Sequence, residues 1–207
     1  MAQYFDNVDL KSELRKIDVR IFDLSLTLWS DNGVFCKDRL DYGTRLLLEN
    51  IDWNNINGSL LDVGCGIGPI GLTLAYFHPS IHAVCSDVNT RALELCKLNA
   101  RTLSLDKRVT CLQSDIYLEI EGKFHSIVSN PPIRAGKKVT YEIYRGALEH
   151  LIDSGSLYIV VRKNQGAPSV MSYLEELFGN VALLAREKGY YVLKATKVVK
   201  WSMKGAF

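Results

Sequence analysis

The stretch Asp62-Val63-Gly64-Cys65-Gly66-Ile67-Gly68 sets a carboxylate two residues ahead of three glycines at alternate positions. Such glycines let the backbone turn tightly and leave room for a ligand to lie against it. A helix opened by Pro69 would aim its first N–H groups at that ligand. Asp87 offers a carboxylate suited to two ribose hydroxyls. Ser114-Asp115-Ile116 puts a polar group beside an apolar one, as an adenine edge requires. Asn130-Pro131-Pro132-Ile133 offers a side-chain amide and a backbone carbonyl whose direction the prolines restrain.

Each piece also has a plain structural reading. The glycines could be only a tight strand-to-helix turn. Asp87 could cap a helix, with Asn89 competing for that place. Asp115 could be a solvated loop carboxylate, and Asn-Pro-Pro a rigid turn. The pieces carry weight together only if the fold brings them to one edge.

The elements between them say that it does. Leu60 to Val63, Ala83 to Asp87, Val109 to Gln113, Ser126 to Ser129 and Ser156 to Val161 read as short apolar strands. Helices are expected over Ile70 to Phe77, Arg91 to Arg101, Tyr141 to Ile152 (stopped near Ser154-Gly155) and Ser169 to Phe178. Strands alternating with helices imply parallel pairing with crossovers. Val181 to Ala185 and Tyr190 to Val199 close the chain with only Arg186 to Gly189 between them, so that pair must be antiparallel. Before residue 33 the pattern alternates apolar with polar, as in Ile17-Asp18-Val19-Arg20-Ile21, the period of a half-exposed hairpin over Ile17 to Phe22 and Leu24 to Leu28. Leu46 to Ile51 reads as a short helix. The expected fold is α/β: a doubly wound, mostly parallel sheet of about seven strands with an antiparallel edge. Residues 1–32 would form an N-terminal β-hairpin annex and residues 33–207 the main domain. The four candidate motifs then fall at successive strand ends, where open α/β sheets bind ligands.

Composition narrows the class further. At 207 residues the chain suits one sizeable domain, and 47% hydrophobic with 23% charged residues is ordinary for a globular protein. No apolar run approaches the ~18 residues of a membrane span. Met1-Ala2-Gln3-Tyr4-Phe5-Asp6 lacks the pattern of a secretory signal. Cys36, Cys65, Cys85, Cys96 and Cys111 are odd in number and never spaced as a CxxC pair, which fits buried thiols in a reducing cytoplasm and no metal site. The net charge of +2 neither demands nor excludes a nucleic-acid partner.

Two cofactors compete for the glycines. Gly66-Ile67-Gly68-Pro69-Ile70-Gly71 matches the dinucleotide fingerprint letter for letter, with Asp87 about where its ribose acid should be. Asp62, however, suits an amino group and would repel a pyrophosphate. Nothing in hydride transfer requires Asn-Pro-Pro after a fourth strand.

With Asp87, Asp115 and Asn130-Pro131-Pro132, the glycine motif resembles the class I S-adenosylmethionine-dependent methyltransferases. More narrowly, the chain is similar to the small-domain branch related to the ribosomal RNA guanine-N2 methyltransferases of the small subunit. Gly33-Val34-Phe35, Asp41-Tyr42-Gly43, Asn130 to Lys137, Lys163 to Ala167, Phe178-Gly179-Asn180 and Lys188 to Tyr191 carry that likeness, over roughly residues 30 to 197. It implies an S-adenosylmethionine site at Phe35, Asp62, Gly64, Gly66, Gly68, Asp87, Val88, Asp115, Ile116 and Asn130. It implies catalysis at Asn130 and Pro131, and acceptor contacts at Ile133, Arg134, Lys137, Lys138, Lys163 and Gln165. Larger members carry a duplicated domain; here only the hairpin annex precedes the core. Many amino methyltransferases place Phe or Tyr where this chain has Ile133, so stacking on a target base would come from elsewhere or be weaker.

The implied reaction is an in-line displacement in which placing the nucleophile dominates. An exocyclic amine donating to the Asn130 amide oxygen and the Pro131 carbonyl would be drawn toward sp³ character. No prior general base is needed, so His125 and His150 receive no role. Arg134, Lys137, Lys138 and Arg145 follow the turn with only Glu142 against them, and Arg162 and Lys163 follow the fifth strand. That charge placement favours an anionic acceptor held by phosphate contacts; the resemblance implies that it is RNA, ribosomal RNA or the small subunit, met by a monomer or a homodimer. A protein glutamine acceptor, a NAD-dependent oxidoreductase and a binding protein without catalysis remain alternatives.

Overall fold

The computed structural model describes residues 11–132 and 136–198. Antiparallel β1 (Arg15–Ile21) and β2 (Leu24–Ser30) form the hairpin. Then come α1 (Tyr42–Asn50), β3 (Gly58–Val63), α2 (Gly71–Phe77), β4 (Ile81–Asp87), α3 (Thr90–Thr102), β5 (Val109–Gln113) and β6 (Phe124–Ser129). They are followed by α4 (Lys137–His150), β7 (Leu151–Arg162), α5 (Ala167–Phe178), β8 (Ala182–Glu187) and β9 (Tyr190–Thr196). The large sheet has seven strands in the order β5-β4-β3-β6-β7-β9-β8. β9 runs antiparallel to both β7 and β8; the other pairs are parallel. This is the doubly wound sheet with an antiparallel edge that the pattern predicts.

The core is two layers divided by the sheet. Leu60, Tyr158, Val160 and Val192 face one layer, with α1, α2, α3 and the hairpin's Ile17, Val19, Ile21, Leu26 and Leu28. Leu61, Val63, Leu157, Ile159, Val161, Leu193 and Ala195 face the other, with α4 and α5. The alternation along each strand is the two-residue period of the pleat. The hairpin therefore shares one continuous hydrophobic cluster with the main sheet.

Several element boundaries differ from the expected ones. α1 begins at Tyr42, four residues before Leu46, because the Asp41 carboxylate accepts the Thr44 N–H and caps the helix (3.1 Å). α4 begins at Lys137 and ends at His150; its first two residues are exposed lysines, and the only apolar residue of its first turn is Val139, too little to mark a helix start. Leu151 and Ile152 already belong to β7. Ser154-Gly155 therefore marks an irregularity in β7, not a helix stop. Ser154 has φ +66°, the register shifts opposite Phe124 to Ser126, and a Cβ on Gly155 would meet three backbone carbonyls within 3.1 Å. The final turn is only Lys188-Gly189, both at positive φ, so β8 reaches Glu187. Val199, expected in the last strand, lies outside the described residues. Among the described residues no helix is long and apolar enough to cross a membrane.

Candidate functional site

After β5 the chain passes to β6 on the other side of β3, so the connections reverse direction at β3. The crevice for a ligand opens beyond the carboxyl ends there. Two turns flank it: the glycine turn after β3 and Asn130-Pro131-Pro132 after β6. The Ser129 hydroxyl donates to the Val63 carbonyl (2.7 Å) and ties the two strand ends together. A Cβ on Gly64 would stand 3.7 Å from Pro132 Cδ, so the turns are neighbours.

The glycines differ in what they do. Gly64, Gly66 and Gly68 have φ of +72°, +57° and +88°. A Cβ on Gly68 would meet Leu72 at 2.6 Å and Cys96 Sγ at 2.7 Å, whereas one on Gly66 would enter open space. Gly68 thus serves packing, and Gly66 keeps a surface clear. The Gly64 and Cys65 N–H groups both donate to the Ser86 carbonyl (2.9 Å each).

Two carboxylates hold this loop, Asp62 buried and Asp87 half-buried. Asp62 Oδ2 accepts the Gly71 N–H at the start of α2 (2.8 Å), while Oδ1 has no partner among the described residues. Burial, then the neighbouring Cys85 and Asp87, push the Asp62 carboxyl well above the ordinary range, against the Gly71 N–H. Asp87 accepts the Gly66 N–H through Oδ2 and the Asn89 N–H through Oδ1 (2.8 Å each). Burial raises Asp87 too, against the bonds from Asn89, Gly66 and Val88. The α3 cap is Asn89, whose Oδ1 accepts the Ala92 N–H, so Asp87 is left to strap the glycine turn to β4.

The remaining expected residues are spread around the crevice. Phe35 and Val88 are exposed, at 46% and 38%. Asp115 is exposed and Ile116 half-buried. Ile116 has φ +56°, a conformation that a β-branched residue rarely adopts. Beyond Pro131 lies a cavity of about 500 Å³ between α4, β7 and α5, lined among others by Lys137, Tyr141, Lys163 and Gln165. It gathers three of the expected acceptor residues. Lys138, in the exposed first turn of α4, is outside its lining. Ile133 and Arg134 lie outside the described residues.

Asn130 is half-buried, and its amide nitrogen donates to Asp41 Oδ2 (3.1 Å) and to Thr44 Oγ1 (2.9 Å). Its amide oxygen makes no hydrogen bond among the described residues. Asp41 and Thr44 lie more than eighty residues earlier, and in the sequence Asp41 stood out only within Asp41-Tyr42-Gly43, as part of the family likeness. Asn99 was also hidden. It accepts the Trp29 N–H, and its amide donates to the carbonyls of Trp29 and Ile67, tying the hairpin to the glycine turn. The cysteines are free thiols, and Cys85, Cys96 and Cys111 crowd behind the glycine turn, with Cys96 and Cys111 Sγ 3.5 Å apart.

Comparison with known proteins adds the following. Residues 25–194 match the model of the family "Methyltransferase small domain". The chain is 44% identical to the uncharacterized protein YbxB of Bacillus subtilis, over 94% of this chain and 98% of that protein. It is 35% identical to ribosomal RNA small subunit methyltransferase C of Erwinia tasmaniensis, over 83% of this chain but 50% of that protein. The solved T. thermophilus 16S rRNA N2 methyltransferase, in complex with AdoMet and guanosine, superposes with a TM-score of 0.81 at 26% identity, over 91% of this chain and 52% of that one. The chain thus spans nearly all of the first relative and about half of the other two.

Proposed function

The chain belongs to the methyltransferase small-domain family, and on that premise we propose that it methylates an exocyclic amine of RNA, guanine N2 in the small-subunit ribosomal RNA. The observation that carries this is the pairing of an Asn130-Pro131-Pro132 turn with the glycine turn across the point where the sheet order reverses. The relatives named for small-subunit ribosomal RNA methylation and the neighbour solved with guanosine support the acceptor.

S-adenosylmethionine is the methyl donor, and when bound it supplies an electrophilic methyl on a sulfonium. The residues fit it. Gly66 leaves open surface. Asp62 keeps a buried carboxylate oxygen without a partner among the described residues, which suits an ammonium. Asp87, with its carboxylate already at the loop, has lone pairs left for ribose hydroxyls. The outlying φ of Ile116 puts an apolar side chain at the third strand end, as an adenine face requires. Phe35 and Val88 are exposed apolar groups available to cover it.

On the acceptor side, Asn130 Oδ1 and the Pro131 carbonyl take the amine's N–H groups and turn its lone pair toward the methyl. The prolines hold that carbonyl at little entropic cost. The cavity beyond Pro131 receives the base, with Lys163 and Gln165 at its wall. Ile133 and Arg134 are proposed as acceptor contacts on the family likeness alone. The 1–32 annex braces the core through Asn99, and residues 33–207 carry the chemistry.

Charge placement also supports an RNA acceptor. Lys137 and Lys138 open α4, where the helix dipole disfavours cations by about 0.3–1 kcal/mol each. Exposed lysines in that place are compensated when they meet phosphates. Each phosphate contact contributes a slope of about −0.7 in log affinity against log salt for single strands. Changing Lys137 and Lys138 to Ala is expected to weaken RNA binding and flatten that slope by about one to one and a half units. Cofactor affinity is expected to stay constant. Parallel salt lines for parent and double variant would instead assign these lysines to bare solvent, and a protein acceptor would gain. The direct test of the function is mass mapping of modified nucleosides in ribosomal RNA from cells with and without the protein. Loss of an N2-methylguanosine is expected; an unchanged map with intact cofactor binding refutes the RNA acceptor.

A pH dependence follows from the two raised carboxyls. A folded pKa above the unfolded value near 3.9 contributes stability at low pH that is lost as pH rises through the folded value. Once ionised, Asp62 and Asp87 therefore weigh against the ligand-free fold, and a cationic ligand beside Asp62 offsets its share of that cost. Affinity for S-adenosylmethionine is expected to fall as pH drops through the raised Asp62 range, with proton release on binding there. Calorimetry in buffers of different ionisation enthalpy measures both. Binding with neither pH dependence nor proton release would remove Asp62 from the cation's surroundings.

A further inference from the structure

We propose that Asp41 and Thr44 are positioning residues that act through Asn130, fixing which end of its side-chain amide faces the acceptor amine. The proposal rests on the reading of Asn130 as the group that accepts the amine's N–H.

The two ends of an asparagine amide have nearly the same shape and opposite hydrogen-bonding character. A half-turn of the amide would replace the acceptor oxygen with an NH₂ group. That group would face the N–H groups of the incoming amine with donors of its own. Asn130 alone has no means of choosing. Its surroundings choose for it. A carboxylate can only accept, so Asp41 Oδ2 requires the Asn130 nitrogen (3.1 Å). Thr44 Oγ1 takes the second N–H (2.9 Å). With both donors engaged on α1, the oxygen is the end left for the crevice. The carboxylate also polarises the amide, which strengthens the oxygen as an acceptor.

The lock is itself held. Asp41 Oδ2 is tied to the Thr44 N–H as the α1 cap (3.1 Å). The first turn of α1 is pressed against β9: a Cβ on Gly43 would lie 2.8 Å from the Tyr190 ring. Tyr42 packs on that ring as well, with centroids 5.4 Å apart. The segment before the sheet thus carries a function beyond packing, because it sets the polarity of a residue at the end of β6.

Three variants separate this role from helix capping. Asp41→Ser keeps a cap of similar quality, but its single oxygen sits on a shorter arm, is taken by the Thr44 N–H and is not acceptor-only. Thr44→Val keeps shape and loses the acceptor. Thr44→Ser keeps the acceptor. Asp41→Ser and Thr44→Val are expected to melt near the parent temperature and to bind S-adenosylmethionine within about twofold of the parent. Their kcat on RNA is expected to fall tenfold or more, with KM for RNA little changed, and Thr44→Ser is expected to retain parent kcat. A second readout needs no substrate. In a ¹⁵N-labelled protein the Asn130 side-chain NH₂ pair, identified by its loss in Asn130→Ala, is expected to exchange slowly with water in the parent and in Thr44→Ser. It is expected to exchange fast in Thr44→Val. A fast-exchanging pair in the parent overturns the lock. So does parent kcat in Asp41→Ser or Thr44→Val. If the parent methylates no RNA, the functional reading fails by itself, and the exchange of that one NH₂ pair still decides for or against the lock.

Discussion

Asn130→Ala is expected to lose about 10²-fold or more in single-turnover methylation, the scale seen when one preorganised hydrogen-bonding group is removed from a reacting centre. The protein is expected to hold S-adenosylmethionine nearly as well as the parent. The distinction follows from what Asn130 does in the proposed reaction. Its oxygen meets the amine as the lone pair turns toward the methyl, so the interaction is gained mainly in the transition state. The fold should tolerate the change. Asn130 is half-buried, and its loss leaves Asp41 with the Thr44 N–H and leaves a hydroxyl on Thr44. Rapid-quench methylation at saturating cofactor, beside calorimetric binding of the cofactor, measures both quantities. Parent-like turnover in a folded variant would remove Asn130 from the chemistry and leave its bonds to α1 as scaffolding only.

The second large effect is a contrast between two glycines of one motif. Gly68→Ala is expected to destabilise the fold by about 2–5 kcal/mol. The left-handed φ contributes about 1–2 of that. The rest is overpacking against Leu72 and Cys96, which lie 2.6 and 2.7 Å from where the new methyl would stand. For a chain of this length the melting temperature is then expected to drop by about 5–15 °C. Gly66→Ala meets no atom within 4 Å, so only its φ of +57° weighs on the fold. Its expected effect is on the ligand: about tenfold or more in cofactor affinity, because the methyl occupies surface the glycine keeps clear. Thermal melting of both variants with and without S-adenosylmethionine separates the two. Gly66→Ala is expected to melt only about 2–8 °C below the parent, from its left-handed φ alone, and to gain less from the cofactor. Equal cofactor stabilisation of Gly66→Ala and parent would mean that the ligand does not lie against Gly66.

Much of this molecule could be read along the chain. Strand-ending glycines, a carboxylate after the next strand and Asn-Pro-Pro after the fourth are local signals, because turns and strand ends depend on φ, ψ and neighbouring residue types. The alternation of β1 and β2 reports the hairpin for the same reason: a two-residue period is a property of the pleat. The misjudged boundaries fall where local signals are silent or ambiguous. α4 opens on two exposed lysines with Val139 as the only apolar residue of its first turn, and Ser154-Gly155 punctuates a strand as readily as it ends a helix.

What only the tertiary structure decided is the pairing of groups distant in sequence. Asp41 meets Asn130 across 89 positions, and Asn99 meets Trp29 across 70. No spacing rule reaches that far, since the match depends on which helix end packs against which strand end. The same holds for the two raised carboxyls. Asp62 and Asp87 are ordinary in the sequence, and their pKa values move because folding buries them under the glycine turn. Residue type determined which atoms were available for the chemistry, while packing determined which were already engaged: Asp87 by two backbone N–H groups, the nitrogen of Asn130 by α1, and Asp62 Oδ1 by nothing among the described residues.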